Sequence, residues 1–121
     1  MIEVLRLGHR ILRDKRISTH VALVARAFGA SKLYYTGQRD KKLEESVNKI
    51  NLKLGGDFII EHIKDYRKIL QNKVTIHLTM YGEDFMDYIN KINEDILIII
   101  GGEKVPPEIY ELADYNLCVS K

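Results

Sequence analysis

The chain has 121 residues, 45% hydrophobic and 30% charged, enough apolar material for one buried core and too much for a disordered segment. Nineteen Lys and Arg against seventeen Asp and Glu leave a net charge of +2 and a pI near 8.6, a mildly basic balance that permits a nucleic-acid partner without demanding one. Cys118 is the only cysteine, which excludes an internal disulfide and a multi-cysteine zinc site, and the aliphatic runs fall far short of the ~20 residues that span a bilayer, so the chain reads as soluble, cytoplasmic and metal-free.

The first strand is expected over 2–7, where Ile2, Val4 and Leu5 alternate with Glu3 and Arg6. A basic segment follows: Arg6, Arg10, Arg13, Lys15 and Arg16, with His9 and His20, fall within fifteen residues that hold one acid, Asp14. Ser18 or Thr19 is expected to cap a helix with Val21, Val24, Ala25 and Phe28 on one face, ended by Gly29. Residues 32–36 predict a second strand, and Asp40 the cap of a helix that turns Leu43, Val47, Ile50 and Leu54 inward before Gly55-Gly56. A third strand over 58–61 and a helix over 63–71 come next, with Asn72 as the turn out of it. Residues 74–79 predict a fourth strand, and the MYGED turn leads to a helix with Phe85, Tyr88, Ile89 and Ile92 inward.

The organising stretch is DILIIIGGEKVPP, residues 95–107. Five consecutive aliphatic residues fit a strand buried on both faces, as the central strands of parallel sheets are. Gly101-Gly102 lets the backbone approach a ligand above the strand's end, and Pro106 or Pro107 suits the first turn of a helix with Ile109, Leu112 and Ala113 inward. A sixth strand is expected over 115–119. Six strands alternating with helices predict one α/β domain, a mostly parallel six-stranded sheet with helices on both faces, whose ligands collect at the carboxyl ends of the strands. No GxxxxGK[ST] motif is present, so a P-loop nucleotidase is not supported.

Three blocks, LRLGHRILRDKRISTHVALVARAFGASKLYYTG, VTIHLTMYGEDF and IIIGGEKVPPEIYELADYN, resemble in sequence and order the archaeal tRNA 2′-O-methyltransferases that modify cytidine 56 in the T-loop, a family of the SPOUT superfamily. The resemblance implies a tRNA substrate, S-adenosylmethionine as methyl donor, a homodimer and a C-terminal trefoil knot. It implies cofactor contacts at Leu78 and at Gly101, Gly102, Glu103, Lys104 and Val105. It also implies a cofactor-covering segment and a knot helix beyond the sixth strand. The 121 residues do not carry these, so the domain is expected to be C-terminally incomplete, to bind the cofactor weakly at best and not to turn over.

Methylating a ribose hydroxyl requires an oriented methyl donor, a place for the hydroxyl proton and a grip on the flanking phosphates. Arg10, Arg13 and Lys15 suit phosphates. Arg16 or Arg26 fits an orienting, electrostatic role, because a guanidinium does not give up its proton. An imidazole is a more natural proton acceptor than a guanidinium, which favours His20, though it equally fits a helix start; the base stays open. His62 and His77 read as structural and Cys118 as inert core. Tyr34, Tyr35 and Tyr81 suit either base stacking or strand packing. The competing reading is a non-catalytic RNA-binding α/β module or an inactive, truncated methyltransferase.

Overall fold

The protein is described from a computed structural model covering residues 1–71, 73–88, 95–102 and 104–118. In chain order these form β1 (Ile2–His9), α1 (Ile11–Ala27), β2 (Lys32–Gly37), α2 (Lys41–Leu54), β3 (Ile59–His62), a 3₁₀ turn (Tyr66–Leu70), β4 (Val74–Asp84), a shorter 3₁₀ turn (Phe85–Asp87), β5 (Ile96–Ile100), α3 (Pro107–Leu112) and β6 (Tyr115–Cys118). The strands make one sheet in the order β3-β2-β1-β5-β4-β6, and every pairing is parallel.

Both faces of the sheet are covered. Val4, Leu33 and Tyr35 pack with Ala22 of α1 and with Leu43 and Val47 of α2 on one face, while Leu5, Leu7, Leu97 and Ile99 pack with Ile109 of α3 on the other. The continuous run of β5 follows from this, since its alternate side chains feed both layers. Each fully buried Leu or Ile contributes about 1.5–3 kcal/mol relative to exposure.

Asp40 caps α2 as expected, its carboxylate accepting from the Leu43 N–H at 3.0 Å, and Gly55 ends the helix. Other expectations are corrected. The first helix starts at Ile11, so Ser18 and Thr19 lie within it: Ser18 is fully buried, and the Thr19 hydroxyl donates to the Lys15 carbonyl at 2.7 Å. Phe28, Leu54 and Leu112, expected inward, are 84%, 71% and 45% exposed, each in the last turn of its helix or just past it, where the chain has left the sheet. The helix expected over 63–71 is only the 3₁₀ turn, and β4 runs on through the expected MYGED turn to Asp84 because its far end pairs with Leu117 and Cys118 of β6. Phe85 opens the second 3₁₀ turn rather than an α-helix; Asn72, Ile89, Ile92 and Val119 lie outside the described residues.

Candidate functional site

The strand order reverses between β1 and β5, and in open α/β sheets ligands settle in the crevice outside the carboxyl ends at such a point. A polar cleft of about 420 Å³ lies there, lined by Gly8 and Arg10 from the β1–α1 turn, Arg13 from the first turn of α1, and Gly102 and Lys104 from the loop after β5. Three cations from two segments far apart in sequence thus converge on one cavity.

Buried polar groups hold the cleft's walls. The Asp14 carboxylate accepts from Arg10 Nε at 2.9 Å, from Arg10 Nη2 at 3.1 Å and from the Arg10 backbone N–H at 3.1 Å. These bonds hold the Asp14 carboxyl below its ordinary pKa, with burial opposing them. Arg6, 2% exposed, lies 3.9 Å from the same carboxylate, and burial pulls its guanidinium below its ordinary value. A Cβ on Gly102 would stand 3.0 Å from Arg6 Nη1 and 3.0 Å from the Leu7 carbonyl oxygen, so a side chain there would have to push the buried Arg6 or the β1 backbone aside.

Beside this lies a second buried network. His9, fully buried, has Nδ1 2.7 Å from Ser18 Oγ and Nε2 3.0 Å from Asp40 Oδ2. Burial pushes the Asp40 carboxyl up, but the His9 and Leu43 hydrogen bonds outweigh it and leave the pKa below the ordinary value. The Tyr35 hydroxyl accepts from the Asp40 N–H at 2.9 Å and donates to Glu44 at 2.5 Å; burial raises its pKa well above the usual phenol value. The Ser18–His9–Asp40 order resembles a nucleophile relay, yet the serine is sealed from solvent. The network therefore works as a strut between β1, α1 and α2.

Of the residues singled out from sequence, Arg10, Arg13, Gly102 and Lys104 meet in the cleft. Arg13 also borders a groove of about 660 Å³ on the outer face of α1, which continues past Lys15, Arg16 and His20. Leu78 lies beside Ile100 in the β4–β5 register, and both line an apolar groove of about 310 Å³ against Val21 and Val24 of α1, with His20 at its rim. Gly101 turns to the opposite face, where a Cβ would collide with Val105, and Val105 packs on the Ile109 cluster. Arg26 stands apart: its guanidinium donates to Asn51 Oδ1 at 3.0 Å and to the Gly55 carbonyl, about 22 Å along α1 from Ile11. Glu103 lies outside the described residues.

Sequence reasoning passed over Arg6, His9, Asp14, Ser18 and Asp40 as parts of the site. The i,i+4 spacing of Arg10 and Asp14 on a helix was an available signal. His9 and Asp40, 31 residues apart, offered none. Tyr34 and Tyr35 are buried in the sheet and out of a base's reach, whereas Tyr81 is 82% exposed. His62 bonds the Gly37 carbonyl at 2.8 Å, buried His77 bonds Asn116 at 3.0 Å, and Cys118 is buried. Among the described residues there is no group of metal-ligating side chains and no helix long and apolar enough to cross a membrane.

A family model described as tRNA ribose 2′-O-methyltransferase, aTrm56, matches residues 54–121. Curated proteins named tRNA (cytidine(56)-2′-O)-methyltransferase are similar over nearly the whole chain: one from Methanococcus maripaludis strain C6 is 51% identical over 98% of this chain and 72% of its own length. One from Pyrococcus horikoshii is 49% identical over 98% of this chain and 63% of its own length. Among solved structures, an RNA 2′-O ribose methyltransferase superposes with a TM-score of 0.71 at 14% identity, over 98% of this chain and 46% of its own. The SpoU methyltransferase AviRb from Streptomyces viridochromogenes, solved with AdoMet, gives 0.70 at 16% identity, over 100% of this chain and 48% of its own. The chain thus spans roughly two thirds of those two curated relatives and about half of these two structural neighbours.

Proposed function

The chain belongs to the tRNA ribose 2′-O-methyltransferase family, and from that premise we propose that it acts in S-adenosylmethionine-dependent methylation of the ribose of cytidine 56 in tRNA. The observation that carries this reading is the single cleft shared by Arg10 and Arg13, suited to RNA phosphates, and by the Gly102 loop, suited to a cofactor. The substrate's phosphates lie against Arg10, Arg13 and Lys15, with the Arg10 fork held in orientation by Asp14.

The residues present fit the cofactor. Leu78 and Ile100 give an apolar wall for its adenosine end, and Gly101 and Gly102 bring backbone close, with Gly102 tightly backed by Arg6 and the Leu7 carbonyl. When bound, S-adenosylmethionine supplies the electrophilic methyl group. Arg16 and His20, one helical turn apart in the α1 groove, divide the remaining work. The guanidinium keeps its charge and orients, and the imidazole accepts the ribose proton. Arg26, tied to Asn51, keeps a structural role. The working form is read as a cytoplasmic homodimer; the dimer is supported by Phe28, 84% exposed at the end of α1, and is measured by sedimentation.

The test is transfer of labelled methyl to a tRNA transcript with cytidine at position 56 and to one with guanosine there. Label in the first alone bears the methyltransferase reading out. Transcript bound with no transfer to either would overturn the catalytic reading in favour of an RNA-binding α/β module. Titration with the cofactor alone measures how much of its pocket residues 1–121 supply.

A further inference from the structure

A second cavity, of about 480 Å³, opens at the β4–β6 side of the sheet, away from the basic cleft. Its walls are aromatic. Tyr81 comes from the stretch where β4 loses register with β6, between Leu78 and Glu83; Tyr110 comes from α3, Tyr115 from β6, and Tyr88 from beyond the second 3₁₀ turn. The arch carrying Tyr81 is pinned, since Gly82 presses on β6 so closely that a Cβ would lie 2.5 Å from the Asn116 carbonyl oxygen. The rings are placed too: Tyr88 and Tyr115 stand 5.5 Å apart at 57°, and Tyr110 meets His77 edge-on at 4.8 Å. Tyr81, by contrast, leaves 82% of its surface in water, a large aromatic body offered to solvent.

Charge decides the ligand class. Glu83 and Asp114 line the cavity and, among the described residues, no lysine or arginine does, so a phosphate or a free carboxylate is repelled. Flat rings stack on tyrosine, and carboxylates accept from exocyclic amines, a combination that suits a nucleobase. Resting on the tRNA reading of the cleft, we propose that the tyrosine-walled cavity receives an unstacked, amine-bearing base of the RNA.

The experiment measures affinity for a tRNA transcript against salt concentration, for the parent chain, Tyr81→Ala and Tyr81→Phe. Tyr81 is exposed, so neither change threatens the fold. Loss of a stacked base weakens binding by about five-fold or more, because stacking on an aromatic contributes about 1–3 kcal/mol per base. The salt slope stays where it was, because the phosphates keep all their cationic partners. Phe restores the affinity. Parent chain that binds tRNA while Tyr81→Ala binds equally well overturns the base site and leaves the cleft's reading intact; no tRNA binding by the parent overturns both. Titration of the same variants with S-adenosylmethionine alone separates the two sources of a flat base. Weaker cofactor binding with unchanged tRNA affinity would assign the cavity to adenine and overturn the proposal.

Discussion

The sheet carries two cavities of opposite make. The cleft above β1 and β5 is cationic and stands on buried groups, Arg6, Asp14, His9, Ser18 and Asp40, all at most 4% exposed. The cavity beside β4 and β6 is aromatic and acidic, and Tyr81, Gly82 and Glu83 of its wall lie where β4 is out of register with β6. The difference teaches where the chain has spent stability on order. Around the cleft, side-chain geometry is fixed before any ligand arrives, so less entropy remains to be lost on binding. Around the tyrosines, the backbone arch and the Tyr88, Tyr110 and Tyr115 rings are held, but Tyr81 is left to solvent.

Breaking the strut behind the cleft gives the largest expected effect. Asp40→Ala removes both the α2 cap and the partner of His9, and is expected to lower unfolding free energy by about 3 kcal/mol in urea titrations. A loss under about 1 kcal/mol would show that the network does not brace the cleft. Gly102→Val drives a side chain into Arg6 and the Leu7 carbonyl, at an expected cost of about 1–3 kcal/mol in stability, with weakened cofactor binding by calorimetry. Unchanged cofactor affinity would move that pocket elsewhere. Charge reversal at Arg13 and Arg16 together is expected to weaken tRNA binding across sequences and to lower the salt slope by about one for each phosphate left without its cation; an unchanged slope would reduce the basic face of α1 to a solvated one.

The smallest effect concerns His77, behind the tyrosine cavity. Burial lowers its pKa, partly offset by the Asn116 hydrogen bond. Below the ordinary value of 6.5 the unfolded chain takes up a proton that the folded chain refuses, so this contribution to stability is whole above pH 6.5 and is lost as pH falls towards the depressed folded value. His77→Gln is expected to flatten the decline of melting temperature between pH 7.5 and 5.

The same contrast explains what could be read from residues alone. All six strands were legible, because the period-two and continuous apolar runs of β1 and β5 are local signals, as was the cap at Asp40. Two boundaries were not. The start of α1 hid behind Ser18 and Thr19, good caps by composition, while Arg10 at the true start makes no side-chain cap. The Ser18 hydroxyl is committed to His9, and that commitment depends on Asp40 far along the chain. The extension of β4 past Gly82 depends likewise on Leu117 and Cys118. At the site, the arginines and glycines were visible as types, but the pairing of Asp14 with Arg10 and the seat of Arg6 under Gly102 are products of packing.

The strand order also sets a timetable for synthesis. β1 finds β2 within about thirty residues, but its other edge pairs with β5, Ile2 opposite Ile96. While the chain emerges from the ribosome, β1, β2 and β3 can assemble with α1 and α2, leaving one flank of β1 bare until β5 follows. For that interval the nascent protein carries an open apolar edge, the kind that recruits strands from other chains. The sheet's switch point, useful afterwards as a binding crevice, is during translation a seam that stays open until β5 is made, and pairing across such a long loop slows its closure.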